Sequence, residues 1–229
     1  MKFKLFDYRK VKSKSEKPGG NIFFIGPYTG KLYYFSFLAR KLSRNFNVIL
    51  IQPKDECLSY NTPENLEIAI NQVGEFIKMN QSGSINNFII GVSIGSYFAF
   101  NSIPYLDLVN KYFFVAGGMF ITRAIENKAF KSVMNAARYE DEIIKSATKK
   151  WHSYETKHMK NIKLEGKKIK LIISRNDKLV LDEYVQEIKD HIDFNSGSII
   201  IERTSLPGHQ TQAMFANMYY KQIEGFFSC

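Results

Sequence analysis

Cysteine is scarce in this chain: Cys57 and Cys229 are the only two in 229 residues. One of them is the last residue, so neither a disulfide framework nor a CxxC metal or redox site is available, and a reducing, cytoplasmic setting is expected. The closing FFSC, with its cysteine in last place, is not expected to serve as a CaaX box. Long apolar runs are missing as well. No stretch approaches ~18 uncharged apolar residues, so no membrane span is expected. The basic opening MKFKLFDYRKVKSKSEKPGG lacks the long apolar core of a signal peptide. Phosphate-loop and dinucleotide-binding glycine patterns are absent. So are HExxH and Cys/His clusters, and neither a metal nor another cofactor is expected. Zinc-finger spacing, RRM aromatics and a helix-turn-helix pattern are not found, so nucleic acid is not an expected partner despite the charge.

What is present is ordinary in bulk and uneven in charge. The chain is 45% hydrophobic and 24% charged, as soluble globular domains are. At this length folding buries about 70% of the unfolded surface, enough for a core without crosslinks. The net charge of +10 serves solubility, or draws the protein to an anionic surface or substrate.

Short apolar runs alternate with amphipathic stretches. Residues 1–20 read as a basic lead-in, with a short edge strand at Lys2–Tyr8 and a break at Lys17-Pro18-Gly19-Gly20. NIFFIG (21–26), NVILIQ (47–52), the run 86–90, KYFFVA (111–116), KIKLIIS (168–174) and the run 198–202 read as strands. Helices are expected over 31–44, from Thr62-Pro63-Glu64 to about Asn80, and over 94–103, 179–192 and 210–226. Thr62 is the expected N-cap of the second of these, with Pro63 at its first position. This alternation implies an α/β fold, a mostly parallel central sheet with helices on both faces. The segment 119–168 breaks it: helical in pattern and rich in Lys and Glu, it reads as a helical insertion over one end of the sheet. The core is then residues 21–118 and 169–229.

The chemistry concentrates in three loops. Gly91-Val92-Ser93-Ile94-Gly95 is a G-x-S-x-G match, set where a strand ends and a helix begins. A serine on so sharp a turn needs a strained backbone, and the residues two before and two after it come too close for side chains. A plain glycine-rich turn would read the same way. A serine hydroxyl needs a base. Of the four histidines, His152 and His158 lie in the insertion and His191 lies late in a helix. His209, in LPGHQ after the last strand, stands where ligands meet open α/β sheets. An orienting carboxylate is expected at Asp177, in SRNDKLV after the strand before last; the plainer reading of Asp177 is a helix N-cap. Asp182 and Glu183 are weaker candidates.

The order Ser93, Asp177, His209, each after a strand, is similar to that of the α/β-hydrolase superfamily of serine esterases and lipases, and the resemblance covers nearly all of 21–229 outside the insertion. It implies an α/β-hydrolase fold and cleavage of a carboxylic ester or thioester through an acyl-serine, without a cofactor. A small acyl-ester or lipid-like substrate follows from it. It also implies an oxyanion hole built from the backbone N–H groups of Ile94 and Tyr28. The His-Gly pattern common at the second of these positions is replaced by Gly26-Pro27-Tyr28, and Pro27 has no N–H to give. The insertion falls where the family carries its lid, with 12 Lys/Arg against 6 Asp/Glu. Met119, Phe120, Phe130, Met134 and Trp151 are the candidates for lining an acyl pocket. Two other readings stay open on sequence alone. One is a hydrolase-like fold kept as a binding module; the other is an acyltransferase or carbon–carbon hydrolase using the same three residues.

Overall fold

The structure is a computed structural model that describes residues 4–28, 30–118, 120–126 and 139–228. Seven strands form one sheet. They are β1 (Phe6–Val11), β2 (Asn21–Ile25), β3 (Asn47–Pro53), β4 (Asn87–Val92), β5 (Val109–Val115), β6 (Lys168–Ser174) and β7 (Ser198–Thr204), in the order β1-β3-β2-β4-β5-β6-β7. All neighbours run parallel except β1, which pairs antiparallel with β3. Parallel strands are joined by crossovers that cover both faces, so those in the middle of the sheet read as continuous apolar runs rather than alternating. β2 and β4 are buried at every position.

The helices divide between the two faces. On one, α1 (Ser36–Leu42) packs beside α8 (Tyr220–Ser228), with α7 (Gly208–Met214) ahead of it. On the other lie α2 (Glu64–Asn80), α3 (Ile94–Asn101), α5 (Asp141–Asn161) and α6 (Asp182–Phe194). The short α4 (Ile121–Glu126) precedes α5. Phe24, Phe88, Phe113 and Val115 point to the first layer; Phe23, Ile25, Tyr112 and Phe114 point to the second, as the period of two requires. Among the described residues no helix is long and apolar enough to cross a membrane.

Several boundaries differ from the sequence expectation for identifiable reasons. The edge strand lies at Phe6–Val11 rather than at Lys2–Tyr8, because its partner sets the register: Phe6 faces Pro53 and Val11 faces Val48. Arg9 and Lys10 stand exposed on that edge, where charge discourages pairing with another chain. The expected helix over 31–44 is a 3-10 turn (Leu32–Phe35) followed by α1. The expected helix over 210–226 is α7, a 3-10 turn (Phe215–Tyr219) and α8. Thr62 does not cap α2. Pro63 is already helical at φ −61°, and the Thr62 hydroxyl accepts from the Asn65 side chain instead, at 3.0 Å.

In the segment after β5, α5 lies on α2 and α3. Trp151, expected as a pocket residue, is fully buried. Its indole N–H donates to the carbonyl of Pro63 at 2.9 Å, and its ring lies 5.2 Å from that of Tyr60. Lys157 reaches Glu67 across the same contact, at 2.8 Å. Glu155, also buried, turns back to α4. Its carboxylate accepts from the N–H groups of Ile121 and Thr122 and from the Thr122 hydroxyl. Those N–H groups open a helix and have no partner within it, and the negative charge also suits the positive end of the helix dipole. Met119, Phe130 and Met134 lie outside the described residues.

Candidate active site

Ser93 stands between the end of β4 and the start of α3 with φ 54° and ψ −121°, a conformation side chains rarely adopt. Two contacts hold it there. Its N–H donates to the carbonyl of Val115 on β5 at 2.9 Å, and its carbonyl accepts from Ser96 at 2.9 Å. The flanking glycines are steric necessities. A Cβ on Gly95 would lie 2.1 Å from the carbonyl oxygen of Ile25, and one on Gly91 would lie 2.6 Å from Cα of Ser96. β2, β4 and α3 meet here with no room for a methyl group, and the turn they force lifts the serine out of the sheet.

Two further loops converge on it from the carboxyl ends of β6 and β7. Gly208, at φ +72°, turns the chain into α7 and puts His209 in its first turn. His209 Nε2 lies 2.7 Å from Ser93 Oγ. On the far side of the ring, Nδ1 lies 3.0 Å from Asp177 Oδ2 and 3.2 Å from Oδ1. Asp177 is buried, and a carboxylate that accepts from Nδ1–H selects the neutral tautomer in which Nε2 presents its lone pair to the serine hydroxyl. Asp177 is itself held: Oδ1 accepts from the N–H groups of Leu179 and Val180 at 2.8 and 2.9 Å. These bonds fold 177–180 into a turn, which is why α6 begins at Asp182 and not at Leu179 as expected.

The other candidates lie elsewhere. Asp182 is 87% exposed at its side chain and pairs with Arg203, and Glu183 is exposed. His152 is exposed on α5. His191 packs against Phe100, and burial lowers its pKa. The side chain of His158 lies outside the described residues.

Two residues not anticipated from the sequence tie these loops together. The Ser174 hydroxyl, at the end of β6, donates to the carbonyl of Leu206 and accepts from Gly208 at 3.1 Å and Asn176 at 3.2 Å. Gln212, fully buried one turn after His209, accepts from the N–H of Ser174 at 2.5 Å and donates to Thr204 at 3.2 Å. A polar residue closing the apolar run KIKLIIS, and a glutamine three positions past the histidine, were the signals.

Pro27, Tyr28 and Ile94 line the same cavity as Ser93 and His209. The N–H of Gly26 is bound to the carbonyl of Ile51 at 2.9 Å. Among the described residues the N–H of Tyr28 meets no acceptor, and that of Ile94 is one of the unpaired donors opening α3. Gln52, buried on β3, holds this loop by donating to the carbonyl of Pro27 at 2.7 Å. Ser93 and His209 open into a cavity of about 540 Å³. Its walls are apolar and aromatic: Tyr34, Phe35, Leu58, Tyr97, Phe120, Ile121, Leu179, Val180 and Ile188 among them. Phe120 therefore lines it and Trp151 does not. Apart from His209, none of the described lining side chains is ionisable near neutrality. Burial, then the nearby Glu155 charge, pushes the Tyr97 phenol well above its usual range. Burial, then Asp55, raises that of Tyr28.

No protein-family model matches the chain, and no curated protein sequence matches it. Solved structures do. A Staphylococcus aureus protein of unknown function superposes with TM-score 0.66 at 15% identity, over 97% of this chain and 94% of that one. A Pyrococcus furiosus esterase gives 0.61 at 16%, over 97% and 90%. The uncomplexed acylaminoacyl peptidase of Pyrococcus horikoshii gives 0.65 at 17%, over 97% of this chain but 39% of the peptidase. At such identities the likeness is one of fold. The seven-stranded, mostly parallel sheet with its helices and the likeness to esterase and peptidase structures agree: this chain has the α/β-hydrolase fold.

Proposed function

We propose that the protein is a serine hydrolase that cleaves a carboxylic ester or thioester with an uncharged, apolar acyl group. The observation that carries this reading is the line from Ser93 Oγ through His209 to Asp177, at 2.7 and 3.0 Å, at the mouth of an apolar cavity. His209 Nε2 takes the proton of Ser93 as the oxygen attacks the acyl carbon. Asp177 holds the ring in the tautomer this requires and stabilises the imidazolium that forms. The N–H groups of Ile94 and Tyr28 receive the negative charge on the carbonyl oxygen. Pro27, which has no proton to offer, serves by its carbonyl, through which Gln52 anchors the loop. His209 then protonates the leaving oxygen or sulfur, and water releases the acyl group from Ser93 by the reverse sequence. The acyl chain occupies the cavity lined by Tyr97, Phe120, Ile121 and Ile188, where a charged group would lose its hydration without a counter-charge.

Exposure to a fluorophosphonate tests this. The wild type is expected to be labelled, and Ser93→Ala and His209→Ala are expected not to be. A folded wild type that stays unlabelled, or label on another residue, would overturn the reading. A panel of acyl esters, thioesters and acyl amides then ranks the substrates.

A further inference from the structure

Six of the twelve large apolar side chains that stand exposed among the described residues fall in two short segments. Tyr33, Tyr34 and Phe37 lie in the 3-10 turn before α1 and in α1 itself. Met214, Phe215 and Met218 lie at the end of α7 and in the turn after it. Their exposures run from 48% to 74%. The two segments are neighbours in space. Tyr34 and Met214 both line the cavity while remaining more than half exposed, which puts them on its rim. The Lys41 ammonium lies 4.5 Å from the ring of Phe37 and 5.5 Å from that of Tyr220, bridging α1 and α8. This is a clustered apolar patch at the mouth of an apolar cavity, unlike apolar side chains scattered singly over a surface.

Its charge is one-sided. Residues 30–44 and 205–223 contain Lys31, Arg40, Lys41, Arg44 and Lys221 and no aspartate or glutamate. Lys31 lies 6.0 Å from the ring of Tyr33. The nearest acid in sequence, Glu224, is occupied at the border by Asn45 at 2.6 Å and by the Tyr220 hydroxyl at 3.1 Å. Aromatic and methionine side chains interleaved with lysine and arginine, with no acid between them, match the boundary layer of an anionic bilayer. There the rings sit at headgroup depth, and the cations lie against phosphates with their stems along the apolar surface.

We infer that this face docks the protein on anionic lipid membranes, with the mouth of the cavity turned to the lipid. The docking is independent of the chemistry at Ser93, so the two readings fail separately. The probe is co-sedimentation with vesicles of phosphatidylcholine and phosphatidylglycerol, against vesicles of phosphatidylcholine alone. Wild type and Ser93→Ala are expected to bind the mixed vesicles equally and to leave them as salt rises. Combined Lys31→Gln, Arg40→Gln and Lys41→Gln is expected to weaken binding roughly a hundredfold, at about a factor of five per cation. Combined Tyr33→Ser, Phe37→Ser and Met218→Ser is expected to lower it at least tenfold. Hydrolysis of a soluble short-chain ester, where present, stays as in the wild type, and thermal melting reports that the variants are folded. Phe194→Ser, 89% exposed on α6, is the control and keeps full binding. Absence of binding by the wild type would overturn the inference. So would folded patch variants that bind like the wild type, or a concentration-dependent dimer that the patch substitutions abolish, since the face would then meet a second copy.

Discussion

Asp177 does two things with one carboxylate. Oδ2 orients His209, while Oδ1 closes the turn through Leu179 and Val180. Asparagine can keep the second task and must fail the first. Its carbonyl oxygen can still accept the two N–H groups, which leaves the NH₂ facing the ring. The ring nitrogen opposite an NH₂ has to be an acceptor, so the proton moves to Nε2 and the lone pair facing Ser93 is lost. Asp177→Asn is therefore expected to lower kcat by on the order of 10⁴ with little change in KM or in the denaturation midpoint, the size of loss seen where this tautomer is inverted in a serine triad. Steady-state kinetics on the best ester, beside urea unfolding, checks both halves. A large fall in stability with an equal fall in activity would mean that the carboxylate is there for the turn alone. The thiol of Cys57 has no comparable part. Burial pushes its pKa up to about 12, and it donates to the carbonyl of Leu5.

Among the elements, α4 depends most on a single side chain. It has only six residues, too few to be stable by its own hydrogen bonds, yet Ile121 and Ala124 from it line the cavity. Glu155, one turn past Trp151 on α5, supplies the acceptors that open it. Trp151 in turn fixes α5 to the start of α2. The cavity wall is thus hung from the start of α2 through two buried side chains on one helix. Glu155→Ala is expected to cost ~3 kcal/mol, the upper end of what stranding buried backbone donors costs. It is also expected to broaden acyl-chain preference as the wall loosens, while Glu155→Gln, which keeps an acceptor, recovers part of both. Urea unfolding and an ester series of increasing chain length measure the two effects. Unchanged stability in Glu155→Ala would mean that α4 is held from elsewhere.

At the scale of the whole molecule, the sequence was most legible where one local rule governs. Uninterrupted apolar runs such as NIFFI mark strands buried on both faces, and the glycines about Ser93 mark a turn with no room for Cβ. Leu38, Ala39 and Leu42 mark the inner face of α1, and by the same spacing leave Tyr33 and Phe37 outside. It was least legible where two distant segments decide together. Trp151 reads as pocket wall or as core until the carbonyl of Pro63, 88 residues away, meets its N–H. Ser174 and Gln212 act only because β6 and α7 come together. The register of β1 is set by β3. Charge is the extreme case, since +10 is a property of the sum and says nothing about where the field points. The structure separates sum from site: the net charge of +10 lies outside a cavity whose described wall carries no charged side chain. Screening acts on the exterior, with a Debye length of about 30 Å at 0.01 M salt and about 3 Å at 1 M. Contacts between the cavity wall and the proposed apolar acyl chain are indifferent to it. For a neutral, soluble ester kcat/KM is therefore expected to stay within about twofold as ionic strength rises, apart from a modest gain at high salt from stronger apolar burial. For the same acyl group on a sulfonated leaving group, kcat/KM is expected to fall by at least tenfold as steering by the exterior field is lost. Measuring both esters across one salt series checks the separation. An equal, steep fall for the neutral ester would place positive charge inside the site itself and count against an apolar acyl pocket.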